Sequence, residues 1–314
     1  MNVKDRTLTR RQAVVAGGCA TAMFAIGPAR AQGVGDRLKV VATFSILADL
    51  IGNVGASRID GAMLVGPNGN AHVYAPSPAD ARKVAEARLV FVNGLGFEGW
   101  LDRLVKASAS RASIVVVSKG IKPREREGGG DRDHDRDHGQ ADPHAWQSVA
   151  NVKIYARNIC DALVAADPGA KDRYETNTAA YVGKLDTLDR EVRQTIARIP
   201  LDRRRVITSH KAFGYFQDAY GIEFSAPQGV STEAEVSARD VAALIRQIKA
   251  QKIAAIFLEN ITDSRLMEQI AKETGAKVGG MLYSDALTEA SGDAPTYIDL
   301  IRHNLKQLAG ALLS

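Results

Sequence analysis

The chain has 314 residues, of which 45% are hydrophobic and 25% are charged, and its formal net charge is +5. This composition is that of an ordinary globular protein, long enough for two modest domains rather than one. Residues 1–31 carry five basic residues and one acidic residue, which leaves about +1 on the remainder of the chain. The composition therefore excludes the strong basic field that nucleic-acid binding would use.

Residues 1–31 have the pattern of a secretory leader. A basic start is followed by a weakly polar stretch at residues 13–27 and by Ala-Arg-Ala at residues 29–31, a small-residue cleavage motif. The apolar stretch is shorter than the ~20 residues that a membrane span needs. We expect cleavage near Ala31 and a periplasmic protein. The Arg10-Arg11 pair suggests twin-arginine export and leaves the general secretory route open.

The first half of the mature chain alternates between apolar runs and helix-like segments. Four runs are predicted to be buried strands: residues 38–43, 62–65, 89–92 and 114–117. The segments between them are predicted to be helices: residues 45–54, 78–87 and 99–108. This alternation predicts a parallel sheet wrapped by helices.

The middle of the chain contains a charged, glycine-rich tract at residues 124–140, which we interpret as a surface loop. A helix is predicted at residues 148–166, and its Cys160 is expected to be a small buried core residue. Helical spacing of apolar or small residues then continues from Gly169 to Ile199, before Pro200. About 30 residues at 1.5 Å each reach ~45 Å, which is longer than one domain.

After Pro200 the alternation begins again. Strands are predicted at residues 206–208, 222–226, 253–258 and 277–282, and a last helix at residues 296–313. The predicted fold class is α/β: two similar lobes, each a mostly parallel sheet wrapped by helices, joined by one long rigid helix. The predicted domains are the leader at 1–31, an N-terminal lobe at 32–166, the linking helix at 167–199 and a C-terminal lobe at 200–314. Ligands bind at the carboxyl ends of such strands, which here face an interlobe cleft.

Four side chains are predicted to meet in that cleft. His72 lies in a loop after the second strand, and His144 precedes a helix in Asp142-Pro143-His144. His210 and Asp285 each follow a strand of the C-terminal lobe. Three imidazoles and a carboxylate form a four-ligand set suited to zinc, with no position left for a reactive water. Because a ligating histidine must be neutral, affinity is expected to fall below about pH 6.5.

Each of these residues has a simpler explanation when it is taken alone. A single loop histidine is more often solvated than a metal ligand, and Asp285 could cap the segment that follows it. His303 is expected at the surface of the last helix. His134 and His138 belong to a charge run that is more often merely solvated, and their functional alternative is weak collection of extra zinc.

Several motifs together resemble the zinc and manganese substrate-binding proteins of bacterial ABC importers. They include Asn70-Ala71-His72-Val73-Tyr74, Asp142-Pro143-His144-Ala145-Trp146, residues 208–216, residues 228–235, and the segments around Glu259 and Asp285. The resemblance covers nearly all of the mature chain, in order.

The resemblance implies two α/β lobes joined by a helix, with His72, His144, His210 and Asp285 as the metal ligands. It also implies an ABC permease with its ATPase as partners, and leaves open a periplasmic metallochaperone; a monomer that binds no nucleic acid is expected. Relatives that favour manganese or iron often have glutamate at the third position, so His210 favours one Zn²⁺ per chain. Many zinc-specific members have a longer histidine-rich loop than residues 124–140.

Three other functions remain as alternatives. The same role could be performed with manganese or iron. A zinc hydrolase would use Glu259 as its base and keep an open metal position, although Glu259 fits better as an acceptor that orients a histidine. The G-x-G-x-x-G pattern at residues 94–99 could indicate dinucleotide binding, but it does not follow the first strand, and no acidic residue ends the next one. We interpret it as a tight turn.

Overall fold

A computed structural model describes residues 37–125, 141–253 and 255–314. The predicted leader at residues 1–31, most of the charged loop, and both His134 and His138 lie outside these ranges. Among the helices of the described ranges, none has the combination of length and apolar character that crossing a bilayer requires.

The N-terminal sheet has four parallel strands in the order β2-β1-β3-β4. Its central strand β1 is buried from Val40 to Phe44, as expected of a parallel strand covered on both faces. The elements of this half are β1 (Leu38–Phe44), α1 (Ser45–Gly55), β2 (Ile59–Val65), α2 (Pro78–Glu86), β3 (Leu89–Val92), α3 (Leu101–Ser108) and β4 (Ser113–Val116).

Two helices follow the first sheet: α4 (Val149–Ala166) and α5 (Lys171–Ala197). With 27 residues, α5 is about 40 Å long. One stripe of α5 is buried at helical spacing and packs against α1 and α4, and also against helices of the C-terminal half. The stripe comprises Tyr174, Thr178, Tyr181, Leu185, Leu188, Val192 and Ile196. The long helix therefore contacts both halves of the molecule.

The C-terminal sheet repeats the topology of the first one, with four parallel strands in the order β6-β5-β7-β8. Helix α7 begins with a side-chain cap, since Ser237 accepts a hydrogen bond from the amide of Asp240. The elements are β5 (Arg205–Ile207), α6 (Gly214–Tyr220), β6 (Glu223–Ser225), α7 (Ala238–Gln251), β7 (Ala255–Glu259), α8 (Arg265–Thr274), β8 (Lys277–Leu282) and α9 (Tyr297–Leu312).

One large apolar core runs through both halves, from the first sheet across α4 and α5 to α9. A smaller core fills the space between the C-terminal sheet and helices α7 and α8. The described residues from 37 onward form one compact unit. A shared core opposes large independent motions of the two halves, because separating them would expose apolar surface to water.

The fold class predicted from the sequence is confirmed: two parallel sheets, each wrapped by helices, are joined by a long helix. Cys160 lies on α4 and is 6% exposed, as expected of a core residue. The domain boundaries at 32–166, 167–199 and 200–314 stay a prediction.

Candidate metal centre

His72 is carried by a tight loop that follows β2. The amide of Gly69 donates to the carbonyl of Gly66 at 3.1 Å. A Cβ at Gly69 would lie 2.7 Å from a methyl of Val65, so this turn requires glycine. Asn70 Oδ1 then accepts a hydrogen bond from the amide of His72 at 3.0 Å. This Asx turn fixes the backbone from which the imidazole projects.

His144 is held by a carboxylate two residues earlier. Asp142 Oδ1 accepts a hydrogen bond from the His144 amide at 3.0 Å and lies 2.8 Å from His144 Nδ1. With Nδ1 bound to the carboxylate, Nε2 is the nitrogen left to bind a metal. A one-turn helix at Ala145–Gln147 follows immediately.

His210 is held by Glu259, the last residue of β7. Glu259 Oε1 accepts hydrogen bonds from the amides of Ser209 at 2.7 Å and His210 at 2.9 Å. Its other oxygen, Oε2, is 2.7 Å from His210 Nδ1, in a close charged contact whose angle departs from that of a hydrogen bond. Glu259 therefore orients a histidine, as predicted from the sequence, and also directs Nε2 toward the cleft.

Asp285 follows β8, and the chain next to it is fixed by the N-terminal half. The indole nitrogen of Trp146 donates to the carbonyl of Ser284 at 2.8 Å, and the side-chain amide of Gln147 donates to the same carbonyl at 2.7 Å. These bonds cross from the segment of His144 to that of Asp285. The position of one ligand is thereby tied to the position of another.

The four predicted side chains meet at one point. Their ligand atoms all lie within 4.8 Å of one another. The Nε2 atom of His144 is 3.2 Å from that of His72 and 3.4 Å from that of His210. The carboxylate oxygens of Asp285 lie 3.2 Å from His72, 3.6 Å from His144 and 3.2 Å from His210. A tetrahedral ion with bonds of about 2.0–2.1 Å separates its ligand atoms by about 3.3 Å, so this spacing fits a small tetrahedral metal ion.

The site is closed to solvent. His144, His210 and Asp285 are 0% exposed, and His72 is 6% exposed. Within the described part of the chain, neither carboxylate oxygen of Asp285 has a hydrogen-bond partner. Its nearest polar neighbours are the three imidazoles, and a cation bound by all four groups at once would balance its buried charge. The arrangement therefore favours a metal ion over an empty polar pocket.

Burial lowers the pKa values of the three imidazoles, whereas the neighbouring carboxylates raise them. Burial lowers the pKa of His72, although Asp285 partly opposes it. For His144 burial also lowers the pKa, but the charges of Asp285 and Asp142 outweigh it and the net shift is upward. For His210 burial is outweighed by Glu259 and Asp285, which raise its pKa to about 10. Burial raises the pKa of Asp285, but His144 and His210 more than reverse this, so that its pKa lies well below the ordinary value.

An aromatic wall lies beside the ligands. The ring of Phe97 meets His72 edge-on at 4.7 Å between centroids and packs on Trp146 at 4.9 Å. Trp146 in turn lies 5.3 Å from His144. Such a wall excludes water and limits the rotation of the imidazole rings.

The glycine-rich turn at residues 94–99 supplies Phe97 and has no phosphate cradle. Glu98 folds back and accepts hydrogen bonds from the amides of Asn93 at 2.6 Å and Gly94 at 3.1 Å. The amide of Gly94 is thus occupied by a carboxylate, and the amide of Phe97 donates to the carbonyl of Gly94 at 3.1 Å, so neither is directed at a phosphate. The turn is a structural element, as interpreted from the sequence, and the dinucleotide alternative has no support in its geometry.

The remaining histidine of the described ranges does not join the cluster. His303 was expected at the surface, but it is half-buried, and its Nε2 lies 3.0 Å from the carbonyl of Met281. The expectation failed because α9 packs on β8, so the histidine faces the sheet. The proposed auxiliary zinc at His134 and His138 lies outside the described residues.

Sequence reasoning did not assign roles to Asp142 and Phe97. Asp142 had a signal, since an aspartate two residues before a histidine can bond both its amide and its ring. Phe97 had none, because its contact with His72 joins two loops that are 25 residues apart in the sequence.

A family model described as "zinc-uptake complex component A periplasmic" matches residues 40–311. The chain belongs to this family. It is therefore a metal-binding component of ABC importers and not an enzyme, which removes the hydrolase alternative.

Among sequence relatives, the manganese ABC transporter substrate-binding lipoprotein PsaA of Streptococcus anginosus is 32% identical over 284 residues, covering 88% of this chain and 90% of the relative. The metal ABC transporter substrate-binding lipoprotein FimA of Streptococcus parasanguinis is 32% identical over 296 residues, covering 92% and 94%. Both relatives are named lipoproteins. The leader predicted here, with cleavage near Ala31, stays a prediction.

Two solved structures are similar throughout. The periplasmic zinc binding protein TroA of Treponema pallidum has a TM-score of 0.81 and 30% identity, covering 88% of this chain and 99% of that one. A manganese-bound periplasmic metal binding protein from Candidatus Liberibacter asiaticus has a TM-score of 0.77 and 29% identity, covering 88% and 100%. The family thus includes proteins named for different metals.

Proposed function

We propose that this chain is a periplasmic protein that captures one Zn²⁺ ion through His72, His144, His210 and Asp285 and delivers it to an ABC permease and its ATPase. The zinc is cargo and takes no part in catalysis. The observation that carries the proposal is the candidate ligand set: three imidazole nitrogens and one carboxylate oxygen that lie within 4.8 Å of one another in a buried site.

The donor chemistry supports zinc over manganese. Imidazole suits zinc, whereas manganese favours carboxylate, carbonyl and water oxygens in octahedral geometry. Four protein ligands complete the tetrahedral coordination that zinc prefers, whereas an octahedral manganese ion would need two further oxygens. Manganese is the second candidate, because PsaA of Streptococcus anginosus is named for that metal.

A simple competition between the metals would not decide the matter, because most nitrogen and oxygen sites bind Zn²⁺ more tightly than Mn²⁺. The informative quantity is the ratio of the two dissociation constants in the wild type and in His210→Glu, which exchanges an imidazole for a carboxylate. Both proteins would lack residues 1–31 and would be stripped of metal first. We expect one zinc per chain. The dissociation constant for manganese divided by that for zinc should be about tenfold or more larger in the wild type than in His210→Glu. Equal ratios in the two proteins, or equal affinity for both metals in the wild type, would overturn the zinc assignment.

Delivery requires a cellular test. A strain that lacks this protein should grow poorly when zinc is chelated, and the full chain should restore growth while His144→Ala should not. The same strain under manganese limitation is the control. Rescue under manganese limitation alone would assign the protein to manganese transport.

A further inference from the structure

The buried site has one side that is less closed than the others. A cavity of about 120 Å³ lies against His72, the ligand that retains some exposure. Its walls come from three segments: the turn at Gly96 and Phe97, the stretch of Ala141 and Pro143, and the stretch of Val230, Ser231 and Glu233. The cavity therefore lies between loops of the N-terminal half and a loop of the C-terminal half.

A pair of polar side chains joins these halves beside the cavity. Asn70 Nδ2 donates to Thr232 Oγ1 at 2.8 Å, and Thr232 Oγ1 lies 3.2 Å from Asn70 Oδ1. The same amide nitrogen is 3.5 Å from the carbonyl of Ile261. Because Asn70 Oδ1 also accepts from the amide of His72, one side chain connects a metal ligand to the segment that walls the cavity.

The segment around Thr232 is itself supported by Gln228. Its side-chain amide donates to the carbonyls of Thr232 at 3.1 Å and Ala234 at 2.8 Å. Thr232 is thus held in place, and its hydroxyl is available to fix Asn70. The three other ligands keep no exposure of their own, since His144, His210 and Asp285 are fully buried.

We infer that Asn70 and Thr232 are positioning residues for His72, and that their contact controls how fast the metal leaves through the cavity beside that ligand. While the contact is intact, His72 is held against the ion and the cavity wall stays in place. When it breaks, His72 can swing outward and the ion gains a route to solvent. This inference rests on the proposed function, and it adds that His72 is the first ligand to leave the metal.

The test uses Thr232→Val, which removes the hydroxyl at nearly constant volume, and Thr232→Ser, which keeps it. Zinc-loaded protein without residues 1–31 would be mixed with an excess of a chromophoric chelator, and the dissociation rate would be recorded. We expect dissociation about threefold to tenfold faster in Thr232→Val, the change that corresponds to one net hydrogen bond. The serine variant should stay within about twofold of the wild type.

Thermal unfolding of the metal-free proteins is the control for folding, and both variants should match the wild type to within a few degrees. An unchanged dissociation rate in Thr232→Val would overturn the positioning role, as would equal acceleration in Thr232→Ser. If the wild type itself holds no zinc, the proposed function fails instead, so the two failures are distinguishable.

The route is tested by filling the cavity. Ser231→Trp places a large ring at its wall and should slow zinc association and dissociation by similar factors. Ser57→Trp, at an exposed position beyond the opposite end of β2, is the matched control and should change neither rate. Unaltered rates in Ser231→Trp would show that the metal uses another path.

Discussion

The four candidate ligands depend on neighbours that would bind no metal themselves. Asp142 and Glu259 each bond the backbone amide of a ligating histidine and contact its Nδ1 atom. The two carboxylates therefore fix both the position of the ring and the nitrogen that faces the metal. The four side chains could be singled out from the sequence because His72, His210 and Asp285 follow predicted strands and His144 precedes a predicted helix. The supporting role of Asp142 required the structure.

A first prediction concerns Glu259. Glu259→Gln keeps an acceptor for the amides of Ser209 and His210 but removes the negative charge beside the ring. We expect zinc affinity to fall about 10-fold to 100-fold, because the imidazole loses the partner that orients it and raises its basicity. Competition with a chelator of known affinity measures the change. Lys39→Gln, at a distant exposed residue, is the control, and equal affinity in the Glu259 variant would contradict the orienting role.

A second prediction concerns pH. The pKa of His210 is raised to about 10 and that of His144 is also raised, so protons compete with zinc for the imidazoles of the metal-free site at neutral pH. Zinc must displace them, so affinity should rise as pH increases from about 7 to about 9, by about tenfold per unit for each proton released. The neighbouring carboxylates thus shift the pH range in which zinc affinity changes to values above about 6.5, the pKa of a free histidine.

Calorimetry in buffers of different ionisation enthalpy measures this proton release directly. We expect about one proton or more per zinc at about pH 7.5, and fewer in Glu259→Gln, whose His210 has lost a neighbouring negative charge. Binding heats that are independent of the buffer would contradict the prediction.

Among the secondary-structure elements, β2 shows what could not be predicted from the sequence. The sequence predicted this strand from residue 62, whereas it begins at Ile59 and pairs with Leu38 onward. The first residues of β2 were not predicted as strand because Asp60 and Gly61 interrupt the apolar pattern. An edge strand tolerates such exposed residues, whereas a central strand would not. The central strand β1 has no such exposed stretch, and its predicted bounds were within one residue.

A prediction at this scale concerns the junction of α1 and α9. Asp49 on α1 accepts a hydrogen bond from the amide of Tyr297, the first residue of α9, at 3.0 Å. Burial raises the pKa of Asp49 to about 6, Asp299 adds to the rise, and the bonds from Tyr297 and Asn53 oppose it. Because the folded pKa exceeds the unfolded value of 3.8, this group stabilises the fold below about pH 4, and that contribution is lost as pH rises through 6.

Asp49→Asn keeps an acceptor for the helix and removes the buried charge. We expect the variant to be about 1–2 kcal/mol more stable than the wild type at about pH 7.5, with little difference at about pH 4. Urea denaturation of the metal-free proteins at both pH values measures this. A variant less stable than the wild type at the higher pH would show that the charge supports α9 more than burial penalises it.

At the scale of the whole molecule, the two sheets have the same strand order, with the first strand of each half lying inside. The alternation of strands and helices predicted parallel sheets, and short right-handed crossovers restrict the possible orders. The order itself is a set of long-range pairings that local patterns do not specify. The shared core across α4, α5 and α9 could not be predicted either, because it depends on which helix faces pack against each other.

The closeness of the four ligands is also a property of the whole molecule. They come from both halves of the chain and are separated by up to 213 positions, between His72 and Asp285. The sequence placed them at the same edge of two sheets, but their approach to within 4.8 Å of one another depends on how the sheets face each other. Bonds across the cleft, such as that from Trp146 to Ser284, fix this arrangement.

X-ray absorption spectroscopy of the zinc-loaded protein without residues 1–31 would test the proposed four-ligand site by counting the atoms bound to the metal. We expect four ligands: three imidazole nitrogens at about 2.0–2.1 Å and one carboxylate oxygen at about 2.0–2.2 Å, with no bound water. Five or six ligands, or fewer than three imidazoles, would contradict a closed site formed by His72, His144, His210 and Asp285.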